Sequence, residues 1–123
     1  MRRFMILSAL TLAACGSAAQ SSNGPALPGV EGARLFKAKG CTTCHTIGQG
    51  VKVGPDLQGL FSRREEAWVR RYIADPVTMV QEDPVAGQLK AQFKIQMPRM
   101  MISAPEMEQL IAYLREATLA TKP

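Results

Sequence analysis

Apolar residues recur at helical spacing in three stretches of the chain, and the pattern breaks between them at glycine and proline. Val30, Ala33, Leu35 and Phe36 predict a short helix from Val30 to Lys39, ended by Gly40. Trp68, Val69, Tyr72 and Ile73 form one broad face of a second helix. Ser62-Arg63-Arg64-Glu65 has the spacing of a capping box to open it, and Asp75-Pro76 stops it. Met107, Leu110, Ile111 and Leu114 make the stripe of a last helix, behind a second capping box at Ser103-Ala104-Pro105-Glu106. Ile47 to Gly59 holds four glycines and a proline and reads as a wrapping loop. From 77 to 94, Val77 to Gln81 and Gln88 to Phe93 suggest short helical turns around Pro84 and Gly87. No alternating run argues for a strand, so the pattern predicts an all-α domain.

The first fifteen residues follow a different logic. Arg2 and Arg3 give a positive start, Phe4 to Leu12 an apolar run too short to span a bilayer, and Leu12-Ala13-Ala14-Cys15 a small-residue processing site. Residues 1–15 resemble a bacterial lipoprotein signal, in which cleavage leaves Cys15 as a lipid-carrying first residue. The plainer reading of Cys15 is an ordinary cysteine beside a simple cleavage site, which would leave a spare thiol in an oxidising compartment. Residues 16–28 are small, polar and broken by proline, a flexible tether with an r.m.s. reach of about 20 Å. The folded domain is then 29–120, an extracytoplasmic unit held to a membrane through lipidated Cys15.

The chain has 123 residues, enough for one small domain plus these extensions. Loss of Arg2 and Arg3 brings the 15 basic residues to 13 against 10 acidic ones, a formal +3. That mild excess suits docking to an acidic patch on a protein partner and lacks the clustered bases of a nucleic-acid footprint. Lys37, Lys39, Lys52, Lys94 and Arg99 are candidates for a basic rim.

The chemistry is concentrated in Cys41-Thr42-Thr43-Cys44-His45. This C-x-x-C-H pattern reads as covalent attachment of a c-type haem, two thiols adding to one porphyrin and the following histidine placing an imidazole on the iron. Zinc runs short of ligands, since the chain has one histidine and three cysteines. A thiol–disulfide site lacks the preceding strand of its usual setting. With a single histidine, a second protein ligand to the iron cannot be histidine, and methionine is the natural choice because a thioether favours ferrous iron. Met1 and Met5 leave with the signal and Met107 sits on a core stripe, so Met79, Met97, Met100 and Met101 remain open.

Leu35-Phe36-Lys37-Ala38-Lys39-Gly40-Cys41-Thr42-Thr43-Cys44-His45, Gly54-Pro55-Asp56-Leu57, Met97-Pro98 and Leu110-Ile111-Ala112-Tyr113-Leu114, in that order, resemble the class I cytochrome c family. The resemblance runs from about Val30 to Thr118 and implies a small class I cytochrome c fold, helices wrapped around one covalently attached haem. It implies that Met97 is the axial methionine, with Met100 or Met101 as the competing assignment. It further implies that the Pro55 carbonyl accepts a hydrogen bond from the His45 ring, that Arg63 neutralises a haem propionate, and that Tyr72 approaches the methionine sulfur. Arg63 is equally readable as a solvated charge. Trp68 does not match the family's propionate-binding tryptophan in position, and core packing is expected of it. Leu35, Phe36, Leu57, Leu110 and Leu114 are expected to wall the haem or join the first and last helices.

No acid/base pair, activated nucleophile or phosphate loop is visible in the sequence. The expected function is one-electron transfer between redox proteins by a His45/Met97-ligated haem c. The competing expectations are a dedicated haem subunit of an oxidoreductase, of sulfite dehydrogenase or nitrogen-oxide reductase type, a small haem peroxidase, or a gas or redox sensor.

Overall fold

A computed structural model describes residues 28–119. The signal, Cys15 and all of the tether before Pro28 lie outside the described residues. Seven helices follow one another: α1 (Pro28–Ala38), α2 (Cys41–Cys44), α3 (Leu60–Arg63), α4 (Glu66–Ala74), α5 (Pro76–Glu82), α6 (Pro84–Phe93) and α7 (Ala104–Thr118). No strand occurs among the described residues.

The frame is the crossing of α1 and α7. Leu35 and Phe36 of α1 and Leu110, Ile111 and Leu114 of α7 are all buried, and the rings of Phe36 and Tyr113 meet at 5.5 Å. The two backbones approach so closely at Gly32 that a Cβ there would lie 2.1 Å from the Gln109 carbonyl oxygen and 2.5 Å from Tyr113 Cβ. Any side chain at this position would hold the helices apart. Val69 and Ile73 of α4 complete the central cluster. Gly40 closes α1 with φ 76°, a conformation glycine adopts without a Cβ penalty, and so turns the chain into α2.

Three expectations about the helices need correction. Ser62 and Glu65 do not form a capping box. Ser62 lies inside α3, the chain then passes through extended Arg64 (φ −142°, ψ 137°), and Glu65 precedes α4 without a side-chain cap bond. Pro28, expected at the end of the tether, is the first residue of α1. The short turns expected between 77 and 94 are full helices, each started by an aspartate before a proline. Asp75 caps α5, accepting from the Thr78 amide at 3.2 Å and its hydroxyl at 2.8 Å. Asp83 caps α6, accepting from the amides of Val85 and Ala86 at 2.9 and 3.0 Å. Gly87 is accommodated within α6. The capping box at Ser103 and Glu106 is present with both reciprocal bonds.

Candidate haem site

α2 is a single turn that follows Gly40, with the Thr43 amide on the Gly40 carbonyl and the His45 amide on the Cys41 carbonyl. Residues three apart on such a turn share a face, so both thiols can reach one ligand. Both are free. Burial, the largest influence on it, pushes the Cys41 thiol above its ordinary value. A thiol–disulfide catalyst requires the opposite shift.

Cys41 opens onto a cleft of about 880 Å³, including the space at its mouth. Phe36, Leu57, Leu60, Ile73, Leu110 and Leu114 make its apolar walls. Leu35 is buried without lining it. A second cavity shares His45, Pro55, Tyr72 and Met97 with the first and adds Cys44.

The loop from 45 to 59 aims the histidine. The Gly54 amide donates to the Cys44 carbonyl at 2.8 Å, and the Leu57 amide to the Thr46 carbonyl at 2.9 Å. Asp56, a residue the sequence reading passed over, gathers the turn by accepting from the amides of Gly48 and Gln58, both at 2.8 Å. Pro55 is thereby placed with its carbonyl oxygen 2.9 Å from His45 Nδ1. A carbonyl only accepts, so Nδ1 carries the proton and Nε2 keeps its lone pair for a metal. A Cβ at Gly54 would sit 2.8 Å from His45 Cε1, so this glycine leaves the ring its room.

The methionines separate by position. Met79 is buried without lining the cleft, Met101 is 84% exposed, and Met107 packs on the core. Met97 lines both cavities with His45, and Met100 lines the larger one alone. Tyr72 also faces both cavities and stacks on Trp68, centroids 5.0 Å apart. Burial raises the Tyr72 phenol above its ordinary pKa. Trp68 does more than fill the core: its indole N–H donates to Asp83 at 3.1 Å, Arg64 lies over its ring, and it lines the cleft. Arg63 lines the cleft too, and its guanidinium donates to the carbonyls of Gln58 and Asp56.

Three of the five candidate rim cations are engaged within the fold. Lys39 pairs with Glu106 at 2.9 Å and donates to the Met101 carbonyl, Arg99 pairs with Asp75 at 2.7 Å, and Lys52 donates to the Thr42 carbonyl. Among the described residues no group of three His, Cys, Asp or Glu side chains could hold a metal ion by itself. Two free thiols on one turn, an imidazole with Nε2 freed for coordination, a thioether and an apolar cleft fit a c-type haem.

The Cytochrome c family profile matches residues 29–118. Over 36 residues the chain is 53% identical to cytochrome c of Cochliobolus lunatus, a stretch covering 28% of this chain and 32% of that protein. It spans about a third of the length of the curated relatives it matches. A cytochrome c from Rhodothermus marinus superposes with TM-score 0.70 at 27% identity, covering 74% of this chain and 77% of that one. The cytochrome c domain of the pp3183 protein from Pseudomonas putida superposes with TM-score 0.62 at 34% identity, covering 71% and 87%.

Proposed function

The chain belongs to the cytochrome c family, with the small all-α class I fold, and from that premise we propose that it is a one-electron carrier of an extracytoplasmic redox chain. Its cofactor is the family's covalently attached haem c, which when bound supplies a single Fe(II)/Fe(III) couple. Cys41 and Cys44 would hold the porphyrin as thioethers, and His45 Nε2 and the Met97 sulfur would hold the iron. The observation that carries this reading is the His45 Nδ1 to Pro55 contact of 2.9 Å, on a ring that faces the same two cavities as Met97.

Each remaining group supports transfer and offers nothing for substrate chemistry. Pro55 fixes the tautomer and angle of His45. The aliphatic walls keep water from the metal, which holds the potential up. Arg63 presents positive charge at the cleft, suited to a propionate, and Tyr72 lines the same two cavities as Met97. With both His45 and Met97 bound, the haem iron would have no open position for a substrate.

Met97→Ala in the purified holoprotein should abolish the far-red sulfur-to-iron charge-transfer band of the ferric state. Survival of that band in Met97→Ala with its loss in Met100→Ala would move the assignment to Met100. Anchoring through Cys15 is proposed on the sequence of 1–15 alone, since stable attachment needs more than one acyl chain. Labelled fatty acid should enter the wild-type protein and fail to enter Cys15→Ser. The partners are redox proteins, the donor and acceptor of the electron.

A further inference from the structure

Residues 94–103, which carry Met97, contain neither helix nor strand. A segment without a backbone ladder is held by side-chain bonds: Lys39, at the end of α1, donates to the Met101 carbonyl, and two of the segment's own side chains flank Met97. Gln96 Nε2 donates to the Pro76 carbonyl at 3.3 Å, and Arg99 Nη2 donates to Asp75 Oδ1 at 2.7 Å. Both ties end on one corner, Asp75-Pro76, which joins α4 to α5. That corner directly follows the turn of α4 that puts Tyr72 and Ile73 into the cleft. Its own position is set independently, because Asp75 caps α5 through Thr78 and Pro76 is buried.

We propose that Arg99 is a positioning residue, whose ion pair with Asp75 fastens the Met97 segment to the wall of the cleft and keeps the thioether seated. The role rests on the reading of Met97 as sixth ligand. Loss of the pair leaves Met97 present and frees its segment to swing out, so the iron's sixth position becomes easier for an outside ligand to occupy. The pair is partly exposed, with side chains 56% and 40% accessible. Its contribution is therefore modest and weakened by salt.

The test is imidazole titration of the ferric holoprotein at low ionic strength, with a urea midpoint recorded for each variant. Arg99→Gln should bind imidazole about three- to fivefold more tightly than wild type, the size expected of an exposed pair. Asp75→Asn, which keeps a capping side chain for α5, should do the same. Arg99→Lys should restore most of the wild-type behaviour, and the differences should shrink in concentrated salt. Arg115→Gln, which breaks a separate ion pair with Glu66, should leave imidazole affinity unchanged.

Equal affinities for wild type, Arg99→Gln and Asp75→Asn would overturn the proposal, and so would an equal gain in Arg115→Gln. If the far-red band is present and depends on Met97 while these affinities do not move, the positioning role fails and the ligand assignment stands. A wild-type spectrum without a Met97-dependent band removes both.

Discussion

The proposed use of His45 as a ligand depends on a neighbour with no side chain. Gly54 leaves room for the ring, while the carbonyl of the next residue accepts a hydrogen bond from Nδ1. Gly54→Ala would put a methyl 2.8 Å from Cε1, and the ring must tilt or the loop must move. Overpacking of this kind costs about 1–3 kcal/mol, so a lower urea midpoint and an altered Soret circular dichroism signal are expected. An unchanged midpoint and signal would mean that the loop yields freely. The proposed attachment residues Cys41, Cys44 and His45 lie within five consecutive positions, so their spacing can be read without the fold. Met97 and Met100 stand three residues apart in a stretch without periodicity, and only the fold shows that both face the cleft while Met101 does not. The two carbonyls that Arg63 reaches are positioned by the 45–59 loop, so no local pattern announces them.

Helix starts show where sequence patterns succeed and where they mislead. Ser103-Ala104-Pro105-Glu106 caps α7 because the chain enters in extended conformation (Ser103 φ −73°, ψ 163°). Ser62-Arg63-Arg64-Glu65 has the same spacing, yet Ser62 is already helical, so its hydroxyl is not at a free end. The spacing alone cannot report that difference. Asp75-Pro76 and Asp83-Pro84 carried the missed signal: an aspartate before proline ends one helix and caps the next. Asp83→Ala should lower the urea midpoint by removing the acceptor of two α6 amides and the partner of the Trp68 indole. Asp83→Asn should recover much of the loss because asparagine also caps, and equal midpoints for Ala and wild type would contradict the cap.

These carboxylates also set an acid limit. Thr78 and Arg99 hold Asp75 at about 2 against its ordinary 3.8. The Ser103 amide, Lys39 and the Ser103 hydroxyl hold Glu106 at about 2 against 4.5. Both pKa values are depressed on folding, so the unfolded chain binds more protons between pH 4.5 and 2. Their stabilisation is therefore complete above that window and is lost as pH falls through it. The urea midpoint should decline across those pH values, and the decline should be shallower in Asp75→Asn.

At the scale of the molecule, α1 and α7 close on each other and give one side of the cleft through Phe36, Leu110 and Leu114, the 45–60 loop, α4 and the Met97 segment lining most of the rest. The helical stripes made the all-α class and the closing helix readable. The crossing at Gly32 was not, because it depends on a carbonyl 77 residues away in the chain and leaves no periodic trace. Gly32→Ala should cost about 1–3 kcal/mol by prising α1 from α7, and should lower the urea midpoint. The charge picture changes at this scale as well. With Lys39 and Arg99 neutralised by Glu106 and Asp75, exposed Lys37, Lys52 and Lys94 are the candidate rim cations that keep their charge, Lys52 bonding only to the Thr42 carbonyl.

Electron carriage by a His45/Met97-ligated haem is tested most directly by an optically monitored redox titration of the purified holoprotein. The account predicts one reversible one-electron transition between six-coordinate low-spin states, with the far-red thioether band present in the oxidised form and no ferrous change under carbon monoxide. A protein matured in a competent host that carries no porphyrin, or whose ferrous form takes up carbon monoxide readily, would contradict it.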